Sequence, residues 1–308
     1  MTSIQSTQLG EDLLQAILDR NKPQIRELLR KGASVNAITF AGLPIMFCAI
    51  MLRREDSIRA LLRLGANPNT QAGNCTAVIA AASFKLPATV LALVEHGADV
   101  RNGAAVPYAV RSGVINSVLI LICAGVDVAN GVGDLITLAM HDNCGRRAVA
   151  MIRVLAAAGV DIDKVNAEGQ TPLSRAVRLT TAERATCVTA ALLGLGAQPN
   201  RALTATRCTA IMLARYPAVV SILVANGADV NAQDATGLTC LHYAAMAGSC
   251  DVLQEMINAG ADPGINEPWT VAERYGHAGA AKYLREVAEA NQRVTVSRMT
   301  NLLLALEM

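Results

Sequence analysis

The chain has 308 residues and a formal net charge of +2, a near balance that argues against a polyanion as partner for its whole surface. Hydrophobic residues make up 52% and aromatic ones only 3%, so the interior is filled by Ala, Leu, Val and Ile, whose small members let paired helices approach closely. The apolar stretches are short and interrupted by Arg, Asp or Gly, which excludes a membrane span, and no signal-peptide pattern opens the chain, so a cytoplasmic location is expected.

In chain order, residues 1–10 read as a flexible N-terminus whose polar stretch, Met1 to Gln8, would also suit an unstructured export signal. Residues 11–31 read as a helical cap, with Glu11, Asp12, Asp19, Arg20, Lys22 and Arg26 set around Leu13, Leu14, Ile17, Leu18, Ile25, Leu28 and Leu29. Gly32-Ala33 closes the cap. A Gly-Ala or Gly-Val pair then returns at Gly65, Gly97, Gly125, Gly159, Gly196, Gly227 and Gly260, at intervals of 33, 32, 28, 34, 37, 31 and 33 residues. Such a period means one supersecondary unit repeated and stacked, because one unit alone cannot bury its apolar face. Each glycine ends a leucine-rich helix, such as the run from Val252 to Asn258, and is expected at positive φ.

The best-preserved unit runs from Asp229 to Ala245, with Thr239 placed to cap a helix and Leu241, Ala244 and Ala245 on one face. Its Gly237-Leu238-Thr239-Cys240-Leu241-His242-Tyr243-Ala244-Ala245 resembles the Gly-x-Thr-Pro-Leu-His-x-Ala-Ala of the ankyrin repeat, and Gly169-Gln170-Thr171-Pro172-Leu173-Ser174-Arg175-Ala176 matches its opening. Weaker copies run from Gly42 to Ala49 and from Asn74 to Ala81, where Asn74 is expected to replace the glycine at left-handed backbone. The stretches from Gly103 and Gly131 keep only the period. The resemblance implies an all-α fold, an ankyrin-repeat solenoid of stacked helix-turn-helix units with short β-hairpin-like fingers. It implies one domain over residues 11–290, with residues 291–308 an amphipathic C-terminal helix or extension.

The function so implied is non-catalytic: binding of a partner protein on the concave surface of fingers and inner helices. Positions free of the repeat's own demands are Ile38, Phe40, Ala41, Leu43 and Met51 in the unit of Gly42, an apolar finger tip. Their counterparts are Gln71, Ala72 and Gly73, then Val165, Ala167, Glu168 and Gln170, and finally Gln233, Asp234, Ala235, Thr236 and Leu238. Between Gly169 and Ala228 lie Arg175, Arg178, Arg184, Arg201, Arg207 and Arg215 against Glu183 alone, a stretch able to receive carboxylates or phosphates. Arg178, Arg201 and Arg207 are the candidate contacts there. Nucleic acid is a poor fit, since only Tyr216 offers a stacking ring. The alternatives to a general binding module are an inhibitor, immunity protein or secreted effector that blocks a target, or regulatory binding of an anionic ligand over 175–215.

Two irregular intervals flank that stretch. Residues 179–186 read as an enlarged connection between two helices, and Tyr216-Pro217 as an abrupt end to the next first helix. Met299, Leu302, Leu303 and Leu306 form an apolar stripe at helical spacing, expected to pack back onto the last repeat or to mediate self-association. No catalytic residues, cofactor, small-molecule substrate or metal are expected. The cysteines at 48, 75, 123, 144, 187, 208, 240 and 250 contain no Cys-x-x-Cys pair and read as small core residues in a reducing compartment. His141-Asp142-Asn143-Cys144 reads as a chance loop. His242 is expected to bond the adjacent finger backbone. Asn74-Cys75-Thr76 matches a glycosylation acceptor but reads here as helix capping.

Overall fold

The computed structural model describes residues 3–129, 134–141 and 147–306. The chain divides into two compact units, Met1–Asp161 and Ile162–Met308. Each is a stack of helix pairs. In the first unit the pairs are α1 (Ser3–Leu18) with α2 (Lys22–Arg30), α3 (Ile45–Met51) with α4 (Glu55–Arg63), α5 (Ala77–Ser83) with α6 (Pro87–Glu95), α7 (Val106–Ser112) with α8 (Ile115–Cys123), and α9 (Leu135–Ala139) with α10 (Ala148–Ala157). From α3 onward, the first helix of a pair packs on the first helix of the next, and second helices pack on second helices. The second unit holds α11 (Pro172–Ala176) with α12 (Ala182–Gly194), a single 3-10 turn (Ala210–Leu213) with α13 (Pro217–Ala225), α14 (Cys240–Ala247) with α15 (Cys250–Asn258), and α16 (Pro268–Arg274) with α17 (Ala278–Leu306).

The Gly-Ala period is a helix stop. All eight period glycines have φ between 85° and 94°, and the amide after each donates to the carbonyl five residues back, as in Ala66 to Leu61 and Ala228 to Leu223, both at 3.0 Å. This is the Schellman arrangement, in which a left-handed residue lets the chain satisfy the last orphan carbonyls. The residue that accepts is a core anchor: Leu61, Leu93, Leu121, Leu155, Leu192, Leu223 and Met256 are fully buried. The dipeptide thus fixes the end of each second helix and the depth of its anchor at once.

Helix starts follow side-chain chemistry. The Thr76 and Thr171 hydroxyls accept from the amides of Ile79 and Ser174 at 3.3 and 3.1 Å, and proline opens α6, α11, α13 and α16 at a position whose amide is unpaired anyway. In six pairs the turn between the two helices holds one left-handed residue. Gly113, Gly248 and Gly276 supply it in three pairs, whereas Arg20, Arg53 and Lys85 supply it in the first three. Those cations sit beside helix C-termini, where positive charge is favoured. Arg20 pairs with Asp56 and Arg53 lies 5.9 Å from the Phe84 ring centroid, each reaching the next pair.

Several expectations need correction. Residues 3–10 are helical, not flexible, because Gly10 lets α1 pack on the first finger: a Cβ there would meet that of Ala37 at 2.3 Å. In the unit of Asn74 the left-handed residue is Gly73, with φ 58°. Gln71–Ala72 (β1) pairs antiparallel with Cys75–Thr76 (β2), so Gly73-Asn74 forms a two-residue hairpin turn and the register moves by one. The enlarged connection over 179–186 is not a loop throughout. Residues 182–186 are helical, and α12 has 13 residues where α4, α6, α13 and α15 have 9, one added helical turn. Pro217 starts α13 instead of breaking a first helix, and that first helix is reduced to a 3-10 turn. At Met299 the C-terminal stripe does not pack back: α17 is continuous, its last described buried anchors are Leu284 and Ala288, and residues 289–297 and Met299 are exposed. The side chains of Leu302, Leu303 and Leu306 lie outside the described residues, as do Gly131 and Asp142-Asn143-Cys144. Of the seven described cysteines, all free, only Cys208 and Cys240 are buried, while Cys123, Cys187 and Cys250 are exposed. The core reading therefore suits two of them.

Candidate functional site: fingers and inner helices

The fingers are closed by side chains that imitate backbone. In the first unit the Thr39 hydroxyl donates to the Leu43 carbonyl at 3.0 Å and accepts from the Leu43 amide at 3.3 Å. In the second, Asn166 Oδ1 accepts from the amides of Glu168 and Gln170 at 3.0 and 2.9 Å. Asp234 does the same for Thr236 and Leu238, at 2.7 and 2.9 Å, and also accepts from the Thr236 and Tyr243 hydroxyls, both at 2.8 Å. Short acceptors are favoured here because they bond amides two and four residues on and so define the turn. Burial pushes the Asp234 carboxyl up, but bonds from Thr236, Leu238 and Tyr243 outweigh it and hold the group below the ordinary aspartate range. Burial, with bonds to Cys208 and Asp234, pushes the Tyr243 phenol up, and burial raises the Cys240 thiol to about 12.

His242 is buried, and its Nδ1 accepts from the Thr239 amide at 3.0 Å, so Nε2 carries the proton and donates to the Asn266 carbonyl at 3.1 Å. The expected bond to the adjacent finger is present. Fingers in the second unit are also tied directly: Ala235 donates to the Thr206 carbonyl at 3.0 Å, and Asn266 Nδ2 to the Gly237 carbonyl at 2.8 Å.

These bonds divide the residues singled out from sequence. Asp234 is consumed by the finger, buried and fully bonded, and cannot face a partner. Thr236 is exposed, but its amide and hydroxyl both serve Asp234; Leu238 is half-buried and its amide is likewise taken. Glu168 is exposed and Gln170 half-buried, and both are bonded to Asn166 and Arg175, the Arg175–Glu168 pair lying at 3.9 Å. Gln71, Gln233, Arg178 and Arg201 are exposed.

Two finger tips stand apart. Ile38 and Phe40 are 55% and 57% exposed, Ala41 is exposed and Leu43 half-buried, while the Phe40 amide donates to Glu11 Oε1 at 2.8 Å. The N-terminal helix therefore holds the finger backbone without covering its apolar tip. Met51 and Leu52, at the end of the inner helix of the same repeat, are 52% and 54% exposed. In the second unit Arg207 occupies the glycine position of its finger at φ 57° and is exposed, a conformation that costs an L-residue roughly 1–2 kcal/mol.

Sequence reading missed a ladder that joins one repeat to the next. Asn69, Asn200 and Asn231, each four positions after a period glycine, accept from the amides of Asp99, Asp229 and Asp262 at 2.7 to 2.8 Å. Their amide nitrogens donate to the carbonyls of Gly97, Gly227 and Gly260 at 2.9 to 3.3 Å. Asn36 and Asp163 make the acceptor half of the contact, to Asn67 and Gln198. The register of Asn after glycine was the signal. At Arg101 and Ala129 the same position carries no such side chain.

Helix pairs that stack first on first and second on second, with fingers between them, define a solenoid repeat protein. Residues 208–257 match the family model of ankyrin repeats in many copies, and the stacked helix pairs have the fold of an ankyrin-repeat solenoid. Among solved structures, the crystal structure of the human ASB11 ankyrin repeat domain is similar in fold: TM-score 0.57 and 22% identity, over 70% of this chain and 98% of that one. No curated protein matches the sequence. Ankyrin repeats are protein-interaction modules in general. Among the described residues no cluster of three or more His, Cys, Asp or Glu is placed to hold a metal, and no helix is long and apolar enough to cross a membrane.

Proposed function

We propose that this protein is a non-catalytic binding module that receives a partner protein on its fingers and inner helices. The observation that carries the reading is the exposed pair Ile38 and Phe40. Neither side chain is needed to close its finger, whose bonds run through Thr39 and Leu43. An aromatic anchor held on a hydrogen-bonded turn binds with little loss of freedom, the property of an interface hot spot. A cytoplasmic location belongs to the same proposal, resting on cysteines scattered along the chain without a Cys-x-x-Cys pair.

The test is affinity capture with the full chain, followed by titration of the captured protein against Phe40→Ala and Ile38→Ala. Loss of about 2 kcal/mol of binding, with an unchanged thermal midpoint, is the expected result. Equal affinity of both variants for every captured protein sinks the assignment of this tip.

A further inference from the structure

The second unit holds a cleft that the shortened inner helix creates. Between α11 and α14, the pair that starts at Thr209 has one 3-10 turn in place of an inner helix. The missing turn leaves a space of about 270 Å³ walled by three successive repeats. Arg178 enters from the turn behind α11, Met212 and Arg215 from the shortened segment, Tyr243 from α14, and Ser249 and Val252 from the start of α15. No acidic residue lines it. Arg178 and Arg215 are both exposed, and among the described residues neither forms an ion pair, whereas Arg175 of the same stretch is paired with Glu168.

We propose that this cleft takes the carboxylate of a Glu or Asp side chain in an acidic segment of a partner protein. Two guanidiniums over an apolar floor suit such a side chain: the forks bind the carboxylate bidentately while Met212 and Val252 cover its methylenes. The volume lies just below the range of pockets built for whole small molecules. The Tyr243 hydroxyl is already committed to Asp234, which leaves anion recognition to the arginines. The inference rests on the reading of the chain as a protein-binding module and adds the chemistry of what one part of it recognises.

The experiment is fluorescence anisotropy of the full chain with a short labelled peptide of Glu with interspersed Leu, a Gln-for-Glu counterpart, a Lys-for-Glu counterpart and an oligothymidylate of equal length. The Glu peptide is expected to bind and to weaken as salt rises, and Arg178→Glu and Arg215→Glu are each expected to weaken it about tenfold or more. The double charge reversal is expected to prefer the Lys peptide, a swap that mere loss of structure cannot produce. No binding of the Glu peptide, equal binding by both variants, or equal competition by oligothymidylate overturns the proposal. Separately, a captured partner whose affinity depends on Phe40 but not on Arg178 or Arg215 overturns the cleft and leaves the binding-module reading standing.

Discussion

The asparagine ladder predicts that Asn231→Ala uncouples the last repeat. Asn231 makes two bonds to the following repeat, accepting from the Asp262 amide at 2.8 Å and donating to the Gly260 carbonyl at 3.2 Å. A hydrogen bond is worth about 0.5–1.5 kcal/mol net, so the pair is worth about 1–3 kcal/mol; both bonds are exposed and water can replace them, which places the loss near the lower bound, about 1 kcal/mol. Since repeats couple mainly to their neighbours, the loss is local. Hydrogen exchange is expected to quicken over α16 and the buried part of α17, and to change little at α12. Arg101→Ala, at the same register but without the ladder bonds, is the control and is expected to stay within about 0.5 kcal/mol. An Asn231→Ala loss no greater than that of Arg101→Ala, or exchange that rises equally along the whole unit, refutes the assignment of inter-repeat coupling to these bonds.

Further consequences can be measured on the same protein. Arg207→Gly is expected to stabilise the fold by about 1 kcal/mol in urea denaturation by removing left-handed strain; a loss of stability would mean that the side chain itself holds the finger. Gly10→Val forces a Cβ into Ala37, and a drop in thermal midpoint worth about 1–3 kcal/mol is expected, together with release of α1 seen by exchange. Burial lowers the pKa of His242 below its ordinary value, with the Asn266 contact opposing it. Its stabilising contribution is therefore fully present above about pH 6.5 and is lost as pH falls through the folded-state value, a dependence that His242→Gln should flatten. Deleting residues 294–308, of which 294–297 and Met299 are exposed, is expected to leave the thermal midpoint unchanged; a fall would show that the stripe at Met299, Leu302, Leu303 and Leu306 is a cap after all.

Repetition made the fold readable, because each Gly-Ala pair reports the same physical event, a left-handed helix stop over a buried leucine. Where local chemistry leaves two solutions, the sequence could not choose. Thr180 and Thr181 both can cap a helix, so the four extra residues of the long interval could join a loop or a helix; the added turn prevails, and Thr181 accepts from the Arg184 amide at 3.4 Å. Gly73-Asn74 offered two left-handed candidates, and strand pairing settled on glycine. The apolar finger at Ile38 and Phe40 was legible because nothing in the repeat requires those side chains. The Arg178–Arg215 pairing was not, since it depends on an inner helix collapsing to one turn, which brings together side chains 37 positions apart in the chain.

The distribution of bonds also says why recognition belongs to the departures from the repeat. Where the repeat is most regular, from Asp229 to Ala245, its polar residues are spent on the fold: Asp234 and Thr236 close the finger, Thr239 and His242 lock the helix start, and Asn231 holds the next repeat. Little chemistry is left over for a partner. At Phe40 an exposed ring sits on a turn that closes without it, and at Arg178 and Arg215 a missing helical turn leaves two cations unpaired among the described residues. A side chain that the fold does not need, held in place by one that it does, is pre-organised for binding at no cost to stability. On this argument, restoring the repeat at those positions should raise stability or leave it unchanged while binding is lost, whereas restoring Asn at Ala129 should raise stability by about 1 kcal/mol and leave binding intact.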